Sequence, residues 1–296
     1  MAVASRNCWR TLIRAGCAAG TTPAVATAIT VMNPTTNSGR TGGRLACPAV
    51  TARPYPGCMT VEPTALSAGE RPSGPEEIPW AMQLVVLRDK HAMAREVDVC
   101  EAAARAVVGL LDDERCAPGG PWYAAVRRWV DGGRIRKLVR RADGKRWDDV
   151  QALPGVLVTQ DGPDGFGPAR VRALPPGPVR PLPRALAKLQ VSGTSFPPER
   201  VSSSADALAI VEATPLERIT SGKLAAQCAH AAQRLYETAD EARRASWRAD
   251  GFRVEVRWPG PDEWAARPRP VSIVDAGFTE LDGPAETARA LWRSEP

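Results

Sequence analysis

Lys223, Gln227, His230 and Arg234 are spaced at i, i+4, i+7 and i+11. At 3.6 residues per turn they share one face of a helix: a cation, an amide, an imidazole and a second cation in a row. The row begins near a helix N-terminus, where unpaired N–H groups and the helix dipole favour negative charge. Such a face can hold an anion. The helix itself is predicted over residues 220–236, TSGKLAAQCAHAAQRLY. Thr220 or Ser221 can cap it, and Gly222 leads into a run of strong helix formers. Leu224, Cys228, Ala231 and Leu235 form an adjacent apolar stripe, and Ala225, Ala229 and Ala232 a third face small enough to sit close to a sheet. The chain has only two His. His91 follows a predicted strand and reads as structural or exposed, while His230 lies in the polar row.

The stretch SGKLAAQCAHAA resembles the signature helix of the type 2 peptidyl-tRNA hydrolases, the archaeal and eukaryotic type. A second stretch, VSIVDAGFTELDG at residues 271–283, is similar to that family's strand ending in Asp-Ala-Gly-x-Thr. The resemblance is strong over residues 207–292 and weak over 82–189. It implies hydrolysis of the ester joining a peptide to the tRNA 3′ ribose, with no cofactor. By motif match the catalytic set is Lys223, Gln227, His230 and Asp275. Lys223 would bind phosphate or polarise the ester carbonyl, Gln227 would orient water, and His230 would accept a proton or hold Asp275. Thr279, Ser221, Gly222 and Arg234 would contact substrate. Which group is the general base stays open. Without the motifs, His230 reads as packing beside the sheet and Asp275 as capping a turn. A D-aminoacyl-tRNA or a related ester is also open as substrate, and a covalent Cys228 mechanism is disfavoured because that thiol lies on the apolar stripe.

Elements that would position these residues recur. Strands are predicted at 81–87, 134–141, 155–159 and 169–174, with helices at 95–111, 121–130, 145–152 and 182–189. After a Ser/Pro-rich stretch the pattern restarts: strands at 207–211, 252–258, 271–274 and 286–291, helices at 220–236, 240–248 and 261–266. This predicts an α/β protein of two tandem units, each a mixed four-stranded sheet with helices on both faces, arising by internal duplication. The domains are then a tail at 1–75, a degenerate repeat at 76–190, a linker at 191–206 and a catalytic repeat at 207–296. Aligned without gaps from its helix, the first unit has Val97, Glu101 and Ala104 where the second has Lys223, Gln227 and His230, and Thr159-Gln160-Asp161 at its strand end. It is read as non-catalytic. An intrachain pseudo-dimer of the two repeats, or a homodimer, is expected.

The net charge is +6 and the pI about 9.1, but residues 1–75 hold seven Arg against two Glu. The basic character is mostly tail, so affinity for tRNA in the body needs a local patch. Arg136, Lys137, Arg140 and Arg141 are the candidate phosphate platform; a merely solvated face is the other reading. The tail is acid-poor and lacks apolar periodicity. It reads as disordered or as a non-native extension upstream of Met59, with a transit peptide as the alternative. Its longest apolar stretch is too short to span a membrane. Seven Cys without C-x-x-C spacing argue against zinc and against a disulfide framework. The expected protein is cytoplasmic, binds tRNA and needs no metal. A non-catalytic tRNA- or protein-binding module of the same fold is the runner-up.

Overall fold

The computed structural model describes residues 78–132, 135–216, 219–276 and 280–293. The readings of the tail, the first residue of the 134–141 strand and Thr279 lie outside the described residues.

Trp80–Leu87 (β1) is buried along nearly its whole length, as a strand covered on both faces must be. It runs parallel to Lys137–Ala142 (β2). On its other side it meets an antiparallel pair, Val156–Gln160 (β3) and Ala169–Ala173 (β4), through β4. Gly177–Pro178 (β5) adds a short antiparallel pairing at the start of β1. The second sheet has the same plan. Ala209–Ala213 (β6) runs parallel to Val254–Arg257 (β7), while Val271–Asp275 (β8) joins it through antiparallel Ala285–Trp292 (β9). The strand orders are β2-β1-β4-β3 and β7-β6-β9-β8. The expected α/β architecture of two four-stranded mixed sheets flanked by helices is the observed one.

Seven α-helices are found among the described residues: Glu96–Asp112 (α1), Tyr123–Asp131 (α2), Gly144–Gln151 (α3), Arg184–Ala187 (α4), Ser221–Thr238 (α5), Glu241–Ala249 (α6) and Pro261–Ala266 (α7). α1 and α5 pack along each other, each covering its own sheet and reaching the edge strand of the other: α1 touches β7 and α5 touches β2. Ala102, Ala103, Ala106, Ala225, Ala229 and Ala232 are fully buried there, and such small side chains let helix backbones approach closely. One core therefore takes residues from both sheets, among them Leu84, Val86 and Val171 with Val211, Val256 and Ala290. On the far face of the first sheet, Trp147, Val150 and Leu186 of α3 and α4 cover Val85 and Leu174. The far face of the second sheet is charged: Glu212 pairs with Arg269, and Arg289 donates to the Trp264 carbonyl of α7. No helix among the described residues is long and apolar enough to cross a membrane.

Two details repeat between the halves. Trp129 Nε1 donates to the Arg136 carbonyl at 3.1 Å, and Trp247 Nε1 to the Arg253 carbonyl at 2.8 Å. Each indole is thus satisfied by the residue just before the strand its helix leads into, as a buried Trp requires. The helix registers also correspond, but one residue off the gapless alignment. Counting from the caps Arg95 and Thr220, Asp98, Ala102 and Arg105 stand where Lys223, Gln227 and His230 do, not Val97, Glu101 and Ala104. Burial agrees with that count: Arg105 and His230 are each the half-buried residue in an otherwise buried run, and Leu110 matches buried Leu235.

The stretch between the halves is packed. Thr194, Phe196 and Ser204 are buried, and the stretch runs across the N-termini of both long helices. The Thr194 carbonyl accepts from Gly222 N–H at 3.1 Å, the Pro197 carbonyl from Glu96 N–H at 2.9 Å, and Arg95 reaches the Val201 carbonyl and Ser203 Oγ. It supplies acceptors for helix N–H groups that have no partner within the helix.

Candidate active site

Thr220 caps α5 by accepting from Lys223 N–H at 3.3 Å. Its hydroxyl also donates to Glu280 Oε1, and its N–H to Glu280 Oε2, both at 2.8 Å. A carboxylate beside a helix N-terminus is favoured by the dipole. Here it also ties the chain beyond β8 to the first turn of α5. Asp275, the last residue of β8, lies beside that turn. Lys223 Nζ lies 2.7 Å from Asp275 Oδ2, and Gln227 Nε2 donates to the same oxygen at 2.8 Å. The Lys223 and Asp275 side chains are 16 % and 18 % exposed. The pair is therefore reachable from solvent yet sheltered enough for its charges to act more strongly than in bulk water.

Gln227 is oriented from behind. Its Oε1 lies 2.9 Å from Thr287 Oγ1, whose one hydrogen it shares with the Ile273 carbonyl at 3.3 Å, and its amide nitrogen points at Asp275. Thr287 is a residue that sequence reasoning missed. In a regular strand it would share the outward face of Arg289. The β8–β9 register instead steps from Ile273 opposite Ala288 to Val274 opposite Glu286, leaving Thr287 as the extra residue of a bulge. A bulge turns the following side chain to the other face. Thr287 accordingly points inward with Ala288, and both are fully buried. The result is one chain, Thr287 to Gln227 to Asp275, with the Lys223 ammonium on the same carboxylate.

His230 sits two turns along α5 and bonds elsewhere. Its Nδ1 is 3.0 Å from Nζ of Lys137, which comes from β2 of the first half, and the same amine donates to Gln233 Oε1. Burial, then the positive charges of Lys137 and Lys223, hold the imidazole well below the ordinary His range. Burial likewise holds the Lys137 amine well below the usual lysine range, against the pull of Glu237.

Other expected positions divide as follows. Ser221 is buried: its hydroxyl donates to Glu96 Oε1 at 2.7 Å and accepts from Phe196 N–H at 3.0 Å. Gly222 lies under Thr194, and a Cβ there would come within 2.9 Å of the Thr194 Cβ. Both serve the join between the halves; they do not line the site. Arg234 is exposed and paired with Glu237. The four-residue platform does not form. Arg140 is buried, bonded to Gln83 Oε1 and the Leu189 carbonyl. Lys137 points into the α5 interface, and Arg141 bonds Ser192 and Gln190. Both faces of β2 are covered, so alternation along the strand leaves no solvated row. The exposed basic feature nearby is a cavity of about 240 Å³ lined by Arg88, Lys90, Arg141 and Arg146 with Asp143.

The first half lacks the site. Asp98 occupies the place of Lys223 and is locked to Arg95 by two bonds of 2.7 Å, and Gln160 ends β3 where Asp275 ends β8. The Cys228 and Cys100 thiols are both fully buried, away from the site, and a hydrogen bond with Cys228, then burial, hold the Cys100 thiol well above the ordinary range. No group of His, Cys, Asp or Glu suited to a metal ion occurs among the described residues. Compared with protein-family models, with curated proteins and with solved structures, the chain matches none.

Proposed function

We propose that the chain is a peptidyl-tRNA hydrolase whose chemistry resides in its second half. The observation that carries this reading is the meeting of Lys223, Gln227 and Asp275, contributed by two separate motifs, around one carboxylate oxygen. Asp275, held by an ammonium and an amide, accepts a proton from a water attacking the ester carbonyl. Lys223 stabilises the oxyanion that develops. The tetrahedral intermediate collapses with cleavage of the bond from the acyl carbon to the ribose 3′ oxygen, which takes up the proton and leaves as the free hydroxyl. None of these steps needs a redox group.

The deciding assay incubates the full chain with N-acetylated aminoacyl-tRNA and with free aminoacyl-tRNA and follows deacylation. The expected result is cleavage of the blocked ester in preference to the free one. No cleavage of the blocked substrate would overturn the reading in favour of a binding module. Equal cleavage of both would replace it with a less selective esterase.

The substrate's phosphates would meet the cationic cavity. Its rim and α5 flank the same stretch: Arg141 bonds the Ser192 carbonyl, and Gly222 bonds Thr194 two residues on. Replacing Lys90 and Arg146, the two exposed cations there, with Gln is expected to weaken tRNA binding. The log–log salt slope should become shallower by up to about 2, roughly one for each phosphate that is no longer neutralised. An unchanged slope in a filter-binding titration would exclude the cavity from tRNA binding.

A further inference from the structure

β2 is an edge strand of the first sheet, yet the amine of one of its residues, Lys137, ends between two side chains of α5. Lys137 is 7 % exposed, and its amine stands 5.1 Å from the centre of the Trp129 ring. Burying an amine is costly, and packing does not require one here. The matching position on β7 is Val254, opposite Ala209 as Lys137 is opposite Met82. An apolar side chain of similar length would fill the same space.

The hydrogen bonds account for the amine. Gln233 donates its Nε2 to Glu237 Oε1 at 2.7 Å, which fixes the amide so that Oε1 faces Lys137 and accepts. As an ammonium the amine has no lone pair, so it donates toward Gln233 and has a further N–H for His230 Nδ1. A ring nitrogen that accepts carries no proton, so in an uncharged ring the hydrogen lies on Nε2.

We propose that Lys137 is a positioning residue acting across the two halves, holding His230 in the Nε2–H tautomer so that His230 serves the α5 site as a hydrogen-bond donor and not as a proton acceptor. What His230 donates to rests on the hydrolase reading above; its tautomer does not. The charged groups that act on the ring are Lys137 from β2 and Lys223 from α5; Glu237 and Arg234 of α5 act on Lys137 in turn. Both lysines oppose a positive charge on the imidazole, as burial does.

The test is nitrogen-15 NMR of the imidazoles in the full chain, with His91→Gln used to leave His230 as the single histidine. The expected wild-type pattern is an unprotonated Nδ1 and a protonated Nε2 across neutral pH. Lys137→Met is expected to give mixed tautomers and proton uptake at higher pH than in the wild type. Deacylation should slow about tenfold, the equivalent of one hydrogen bond. A wild-type ring protonated on Nδ1 would overturn the proposal, as would Lys137→Met with an unchanged pattern. The wild-type tautomer decides even where the variant fails to fold. If the chain cleaves no blocked aminoacyl-tRNA, the hydrolase reading falls and the tautomer still decides the role of Lys137.

Discussion

Asp275→Asn is expected to lower deacylation of N-acetylated aminoacyl-tRNA by about 10² to 10⁴-fold while leaving the chain folded. The substitution keeps the shape of the side chain and removes its charge and half of its accepting capacity. Lys223 and Gln227 both donate to Oδ2. An Asn oxygen in the place of Oδ2 can still accept from both, but it carries no negative charge, and an NH₂ that cannot accept replaces the other oxygen. Lys223 would then face an uncharged acceptor in place of an anion, so proton acceptance is lost and the ammonium is held less firmly for the oxyanion. Stability should change by only about 1 kcal/mol, since the pair is partly exposed and screened by solvent. Single-turnover deacylation and a thermal melt on the same sample separate the two effects. A variant that melts as the wild type and keeps more than about a third of its rate would remove Asp275 from the chemistry, since loss of a general base costs far more.

How much of this site was legible in the sequence depends on which interactions were local. Lys223 and Gln227 are one turn apart, and helical periodicity alone puts them on one face. Asp275 followed from a second motif. Strand and helix bounds came out within a few residues because apolar runs and caps are local signals. His230 satisfies the same periodicity but lies about 10 Å along the axis from Lys223, at 1.5 Å per residue. That places it over β2 of the other half, and no local pattern reports how the halves dock. Lys137 and Arg140 were misread for the same reason. Charged residues on a strand are usually solvated, and only the packed arrangement reveals that both faces of β2 are covered. Thr287 was hidden by a bulge, which shifts the side-chain phase by one without leaving a mark in alternation. The one-residue slip in aligning α1 with α5 arose because the two helices share small residues but not caps: Arg95 starts one and Thr220 the other.

Glu101→Ala is expected to destabilise the whole chain by about 3–5 kcal/mol, although the residue is remote from Asp275 in sequence and belongs to the other half. The carboxylate is fully buried on α1. Oε1 accepts from Val256 N–H at 2.9 Å and from Ser202 Oγ at 2.5 Å; Oε2 accepts from Ser204 Oγ at 3.2 Å and from Gln160 Nε2. Val256 is on β7, an edge strand of the second sheet, so a side chain of the first half satisfies a backbone donor that the second sheet leaves unpaired. Removing it strands that N–H and the groups from the connecting stretch and β3, each costing about 1–3 kcal/mol if water cannot reach it. For a chain of this size the melting temperature should fall by roughly 10 °C or more. The pH dependence has a definite sign. Burial raises the Glu101 pKa more than its hydrogen bonds lower it, so the folded state binds this proton more tightly than the unfolded state does. The wild type therefore loses some of this residue's contribution as pH rises from the ordinary Glu range through the raised value, and Glu101→Ala lacks that slope. The stability gap between the two proteins should be widest at the acid end of that window and narrow above it. A melt series that shows no loss, or a gap that widens with pH, would contradict the role assigned to Glu101. A loss shared by both halves in one transition would follow from their common core, since α1 and α5 cannot separate without exposing the apolar residues each covers for the other.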